Sequence, residues 1–386
     1  VSRQRMWRVR AKHIVIATGS LERPLVFGNN DRPGVMLSGA VSTYVNQFGV
    51  APGRRAVVFT NNDHAYQTAL DLSDAGVEVT ALVDVRASGA GAVAAEVEAR
   101  GITVLKRHVV CQVDGKKRVS AAEIRPLKDD GSVGGPSRIE SCDMLAVSGG
   151  FSPVVHLHAH PGGRTAYDPE RAAFVATDAA LDQTIAGSAA GDETLAACLE
   201  SGFSAGDDAA KAAGVTGREL GHRASAESAP LNDAETIWQV PNPLGMSRGP
   251  KAFVDYQNDT SAADLHLAVR EGYHSIEHVK RYTALGFGTD QGKLGNINGM
   301  GIVSSALGLA PDAVGTTTFR PPYSPVTFGA VAGRAIGAFE IRAGGQSVTI
   351  GRGLERLAGE GEGELLTARH QNGDGLEVDA AFLLEF

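Results

Sequence analysis

Residues 253–296 read FVDYQNDTSAADLHLAVREGYHSIEHVKRYTALGFGTDQGKLGN, and the fold turns on how this polar stretch is read. It is almost free of turn residues before Gly286 and carries charge at helical spacing. Ser261 precedes Ala-Ala-Asp-Leu, which makes it an N-cap with an acid in the first turn. Leu265, Val269 and Tyr273 recur at four-residue steps, and Gly272 marks a helix end. Ser275 opens a second helix, Ile276 to Tyr282, with Ile276, Val279 and Tyr282 on one face. The stretch therefore predicts two short helices followed by a Gly-rich loop, Gly286 to Gly295.

This arrangement, with Lys-Arg-Tyr-Thr at 280–283 and Thr-Asp-Gln-Gly-Lys at 289–293, resembles the small bacterioferritin-associated-ferredoxin-like module. That module holds a [2Fe-2S] cluster through C-x-C and C-Q-G-x-x-C, because cluster iron is ligated by thiolates. Here Asp255 and Gln257 stand at the first pair of positions, and Asp290 and Gly295 at the second. None supplies a thiolate, so the scaffold is expected without its cluster. With EHVKRYT and TDQGK both present, the chain resembles the alpha subunit of heterotetrameric sarcosine oxidase over about residues 1–337.

Composition sets outer bounds. A chain of 386 residues has room for two or three domains with real cores. Net charge of −8 argues against nucleic acid or an anionic membrane as partner. The 48 glycines exceed the usual share of roughly 7%, as expected of a fold rich in tight βα turns near phosphates. No apolar run approaches the roughly 18 residues of a membrane span. Cys111, Cys142 and Cys198 are scattered without metal spacing, so a reducing cytoplasm is the expected compartment.

The expected fold is α/β: a two-dinucleotide-binding-domain, flavoprotein-reductase-like architecture plus the small helical module lacking cluster cysteines. Residues 1–50 and 141–215 form the first, NAD-type domain, and 51–140 an inserted second Rossmann-like domain. Residues 216–250 are a linker, 251–330 the module and 331–386 an unassigned tail. In the first domain, His13-Ile-Val-Ile-Ala reads as a buried parallel strand running into Thr18-Gly19. Val1 begins within what reads as a domain, so the chain is expected to be a fragment lacking the leading G-x-G-x-x-G strand and to bind NAD weakly.

The inserted domain opens with strand Arg55–Thr60, a helix to about Ala75 and strand Val77–Asp84. The Rossmann fingerprint is replaced by Thr60-Asn61-Asn62-Asp63-His64-Ala65. Asn tolerates positive φ, so the turn is expected to survive, but Asp63 at the helix N-terminus competes with phosphate. Asp84 stands at the ribose position or is a plain strand-end acid. Thr103 to Arg125 reads as hairpin strands, and Cys142 to Gly150 as the return to the first domain. His156, His158 and His160 alternate before Pro161-Gly-Gly and read as a solvated edge rather than a metal site.

Thr184 to Gly202 is the strongest cofactor signal: a short strand, then Gly187-Ser-Ala-Ala-Gly191-Asp, then a helix from Glu193. By the resemblance, Ser188, Ala189, Glu193 and Leu195 contact NAD while Gly187 and Gly191 shape the turn. Lys280, Arg281, Thr289, Asp290 and Lys293 are the residues expected at the flavin side, with Lys293 aimed at the FMN phosphate. Arg320-Pro-Pro-Tyr-Ser-Pro is expected to be extended. The tail, with strands at Gln346–Ile350 and Ala380–Leu384, is too short for the folate-binding domain of the family.

The resemblance implies an oxidoreductase subunit without a catalytic base of its own, with sarcosine as the substrate of the assembly. NAD would bind this chain, FMN the contact with a flavin-bearing beta subunit, and FAD the beta subunit, with smaller subunits completing the hetero-oligomer. Two alternatives stand beside it: a subunit of an opine, proline or hydroxyproline dehydrogenase, many of which keep the cluster cysteines, and a non-catalytic fragment.

Overall fold

The computed structural model describes residues 6–215, 222–227 and 235–332, and four strands beyond them. Two compact units divide the chain: Ala11–Ser324, and Pro325–Phe386 together with Val1–Arg10.

In the larger unit, Ile14–Ile16 (β1) and Ser20–Glu22 (β2) come first, then Val35–Leu37 (β3) and helix Ser38–Phe48 (α1). Arg55–Thr60 (β4), His64–Asp74 (α2), Glu78–Asp84 (β5), Gly91–Ala99 (α3) and Thr103–Lys106 (β6) follow. His108–Asp114 (β7), Ala121–Pro126 (β8) and Arg138–Ser141 (β9) form an antiparallel meander, and Met144–Ser148 (β10) comes next. One five-stranded parallel sheet runs β3-β10-β4-β5-β6. Successive β4 residues feed opposite faces: Ala56 and Val58 meet α1–α3, whereas Val57 and Phe59 pack with Val109, Val110 and Ile124 of the meander. Burial on both faces is why β4 reads as an unbroken apolar run.

This topology corrects two expectations. Thr103–Lys106 is the fifth parallel strand, so the hairpin begins only at His108. The chain also does not leave the inserted sheet at Cys142: Met144–Ser148 lies between β3 and β4, and all five of its residues are buried. A strand inserted between two others satisfies both of its edges, which a return at Cys142 would leave open.

Phe151–Pro153 (β11) pairs antiparallel with β2. After a short helix, His156–Ala159 (α4), comes the hairpin Thr165–Asp168 (β12) and Ala173–Ala176 (β13). Gln183–Ile185 (β14) pairs parallel with β1 and leads through a 3₁₀ turn, Gly187–Ala190, into Leu195–Ala212 (α5). Strand β1 forms where expected, but only Ile16 is buried; Ile14 and Val15 are each 41% exposed. Among the described residues its sheet holds only β1 and β14, which cannot cover both faces. The linker segments 216–221 and 228–234 lie outside the described residues.

Phe253–Asp255 (β15), Thr260–Ser261 (β16), Ala262–Arg270 (α6), Ile276–Thr283 (α7), Asn296–Leu307 (α8) and Pro311–Val314 (α9) form the module. At the head of α6 both the Ser261 backbone N–H and its hydroxyl donate to Asp264 Oδ2, at 2.8 and 2.7 Å. Ala284, at φ +63°, ends α7. Helix α8 shows no sequence signal of its own, because Gly299 and Gly301 weaken helix propensity. A Cβ on Gly299 would lie 2.6 Å from Leu285 Cδ2, and one on Gly301 would strike the Trp238 ring. Close packing thus selects glycine inside a helix. Leu265, Ile276, Val279, Leu285, Met300 and Val303 build the core, joined by Val26 and Phe174 from the preceding domain.

In the smaller unit, Gln346–Ile350, Phe339–Ala343, Leu365–Gln371 and Glu377–Leu383 make an antiparallel sheet in that order. Two of these strands coincide with or overlap the predicted ones; Phe339–Ala343 and Leu365–Gln371 were not anticipated.

Candidate functional site

Three places bear on cofactor binding. The first is at the ends of β1 and β14. Thr18 donates its hydroxyl to the Val154 carbonyl at 2.7 Å, and Gly19, at φ +76°, passes beside Ser188. Gly187 and Gly191 adopt φ +68° and +93°, a region costly for other residues, and the Gly187 N–H donates to Ser201 Oγ at 2.9 Å. Ala189 is buried, whereas Glu193 and Leu195 are exposed where α5 begins. Thr194 caps α5 by accepting from the Ala197 N–H at 3.2 Å. Thr18, Gly19, Gly187 and Ser188 therefore converge, with Glu193 and Leu195 at the rim. Asp192 was not singled out in the sequence. Its Oδ2 is buried at the end of this turn with no hydrogen-bond partner among the described residues, and an acceptor so placed suits a ribose hydroxyl. The chemistry of the turn fits a dinucleotide.

The second place is the head of α2, and here the structure fills the site with its own side chains. Thr60 and Asn62 close the turn on each other, and Asn62 Nδ2 donates to Ser148 Oγ at 2.9 Å. No residue from 60 to 64 has positive φ, so the turn survives by side-chain hydrogen bonding rather than by the Asn conformation expected. Asp63 is not an unopposed anion, because Arg86 reaches it at 2.7 Å. The same guanidinium bonds Asp84 at 2.9 Å, and Tyr66 donates to Asp84 Oδ2 at 2.7 Å. Asp84 is fully buried. Burial first, then Asp84, hold the Tyr66 phenol far above its ordinary pKa. The ribose-position acid is thus consumed internally, and the residues present do not fit a dinucleotide.

The third place is the module. Asp255 is 5% exposed; its Oδ1 accepts from the Gln257 N–H at 2.9 Å, and its Oδ2 from the Gly286 N–H at 2.6 Å. Gln257 reaches Thr289 Oγ1 at 3.4 Å and accepts from the Asp290 N–H at 3.4 Å. The loops that thiolates would join through iron are here joined by direct hydrogen bonds. At the fourth position a Cβ on Gly295 would strike the Val254 carbonyl, so no ligating side chain fits there.

Beside these loops opens a cleft of about 370 Å³ lined by Lys280, Arg281, Phe287, Gln291, Phe319 and Arg320 among others. Glu277 anchors its wall by accepting from the Thr318 N–H at 2.6 Å, and Arg281 pairs with Glu277 at 3.4 Å. Burial raises the Glu277 pKa, but the Thr318 N–H and then Lys280 and Arg281 outweigh it and hold the carboxyl low. Lys280 lies over the Phe287 ring, and neither it nor Arg320 has an ion pair among the described residues. Arg320 was anticipated only as part of an extended segment. Lys293 faces elsewhere: its ammonium donates to the Asp290 and Tyr323 carbonyls at 3.0 and 2.7 Å and lies over the Tyr323 ring. It is not among the residues lining the cleft, nor are Thr289 and Asp290, so only Lys280 and Arg281 of the five expected residues line it.

The histidines also differ from expectation. His156 and His158 are buried in α4 rather than on a solvated loop. His156 packs on Phe319 and Tyr323, while His158 Nε2 lies 2.8 Å from the Arg164 carbonyl and Nδ1 2.7 Å from Gln183 Nε2.

Fold and turns together define the class: an α/β architecture of the dinucleotide-binding-domain type. The fold resembles that of L-proline dehydrogenase from P. horikoshii, with a TM-score of 0.60 at 20% identity over 82% of this chain and 58% of that one. Residues 249–334 match the model of the sarcosine oxidase A3 domain. The alpha subunit of sarcosine oxidase from Rhizobium meliloti (strain 1021) is 45% identical over 337 residues, 86% of this chain. An opine oxidase subunit of the same strain is 24% identical, over 84% of this chain and 77% of its own length. The chain belongs to the family of sarcosine oxidase alpha subunits. It spans about a third of such relatives, 32% of the R. meliloti protein. Among the described residues no helix is long and apolar enough to cross a membrane.

Proposed function

We propose that this chain supplies the NAD-binding and flavin-side docking portion of a heterotetrameric sarcosine oxidase alpha subunit. The assembly would oxidise the N-methyl group of sarcosine with oxygen as acceptor, giving glycine and hydrogen peroxide. The flavins would supply the redox chemistry, FMN at the alpha–beta contact and FAD in the beta subunit. This chain would position cofactors and carry no catalytic base.

The observation that carries the reading is the cationic cleft. Lys280 and Arg320 face it without ion pairs among the described residues, Arg281 adds a third cation, and Phe287 and Phe319 offer apolar surface. Such a set suits a phosphate attached to a flat aromatic group. Lys280, Arg281 and Arg320 would hold the FMN phosphate, which reassigns the role first expected of Lys293. At the other site, Gly19, Gly187 and Ser188 would admit the NAD phosphates, and Asp192 would accept from a ribose hydroxyl.

Similarity to an opine oxidase subunit favours one second reading, a chain serving the oxidation of another secondary amine. The missing cluster thiolates weigh against the cluster-bearing members of that group. Co-expression with a flavin-bearing beta subunit, followed by peroxide release with sarcosine, tests both. Peroxide that depends on both chains is expected; turnover of proline or an opine with none of sarcosine would establish the second reading.

A further inference from the structure

Among the residues that line the cationic cleft, Glu277 alone is acidic, against Lys280, Arg281 and Arg320. By charge alone a carboxylate in that wall opposes an anion. Its contacts give it a different part. Oε1 accepts from the Thr318 N–H at 2.6 Å, and the Thr318 side chain bonds the same carboxylate. Oε2 lies 3.4 Å from Arg281, whose Nη1 donates to the Glu277 carbonyl at 3.1 Å. The carboxylate is thus turned to its neighbours on both walls, and the side chain is 26% exposed.

The two walls differ in origin. Lys280 and Arg281 stand on the last turn of α7, a regular helix. Phe319 and Arg320 stand on residues 315–320, which form no helix or strand, so other elements must set their place. Asn296 Nδ2 meets Thr317 Oγ1 at 2.7 Å, Gln291 Nε2 donates to the Pro322 carbonyl at 2.8 Å, and the His156 ring packs on Phe319. Those anchors come from α8, the loop before it and α4. Among the described residues, the hydrogen bond that ties this segment to α7 is the one Glu277 accepts.

We propose that Glu277 is a positioning residue of the cleft: it clamps Thr318 against α7, so that Arg320 faces Lys280 and Arg281 across one anion site. This rests on the reading of the cleft as the FMN phosphate site and deepens it. Cations on a helix and on an irregular segment serve one phosphate only at a fixed separation, which the clamp supplies. Three cations and one acid leave the cleft a net +2. That matches a phosphate monoester, which carries about −1.5 to −2 near neutral pH.

Binding of FMN to the full chain, read by quenching of flavin fluorescence, tests this with two substitutions that separate reach from charge. Glu277→Asp keeps the charge and shortens the side chain by one methylene. Glu277→Gln keeps an acceptor at full reach and removes the charge. Positioning predicts that Glu277→Asp weakens FMN binding about tenfold, the worth of one charge-assisted hydrogen bond, while Glu277→Gln stays within about threefold of wild type. Hydrogen exchange at Thr318 should quicken in Glu277→Asp and not in Glu277→Gln. FMN binding left unchanged by Glu277→Asp, or tightened beyond that range by Glu277→Gln, would overturn the inference and make Glu277 simply a charge that opposes the ligand. Should one variant fail to fold, the other decides, because the two roles give different outcomes for each. A wild-type chain that binds FMN no more tightly than riboflavin would instead overturn the phosphate reading of the cleft, and the inference with it.

Discussion

Arg86 lies 2.7 Å from Asp63 at the head of α2, where a dinucleotide-binding turn would offer its amides to phosphate. The same guanidinium holds Asp84 at the end of β5, and both acids and the arginine are nearly or fully buried. The domain keeps the βαβ path and closes its own crevice.

Replacing Arg86 by Met should destabilise the chain by about 3–5 kcal/mol, because two buried carboxylates lose their counter-charge. Chemical denaturation would measure it. Restored nucleotide binding is not expected, because the turn at 60–62 remains closed by its own hydrogen bonds.

Asp255→Ala should leave the Gly286 N–H unsatisfied and detach the loop after α7 from β15, at a cost of about 1–3 kcal/mol. Hydrogen exchange is expected to quicken at Gly286, Gln257 and Asn258, whose amides all donate to this carboxylate, while α2 exchanges as before.

His156 gives stability a pH dependence whose sign follows from linkage. Burial, then the charges of Lys293 and His160, lower its pKa from 6.5 to about 4. The unfolded chain binds the proton first, so stability is full above about 6.5 and declines as pH falls towards 4. Denaturation midpoints between these values should fall with acid, and His156→Phe should flatten the slope. An unchanged slope would locate the acid sensitivity in other groups.

Arg320→Ala should weaken association with a flavin-bearing partner about tenfold or more, as expected when a charge-assisted hydrogen bond worth about 1.5 kcal/mol or more is lost. Titration of the partner, monitored by flavin fluorescence, would report it. Lys293→Ala is expected to disturb the segment around Tyr323 and leave phosphate recognition in place.

Local signals in the chain were sufficient for the parallel strands at 55–60 and 78–84, the Ser261 cap of α6, the start of α7 after Ser275 and the loss of thiolates at 255, 257, 290 and 295. These depend on hydrophobic period, short-range hydrogen bonding and side-chain chemistry, all written in neighbouring residues. Tertiary packing decided the rest. Met144–Ser148 joins the inserted sheet because two strands far off in sequence leave a vacant edge, and Gly299 and Gly301 are helical because Leu285 and Trp238 press on them. Arg320 enters the cleft, and Lys293 turns away from it, through contacts about thirty to forty residues distant, which no local pattern encodes.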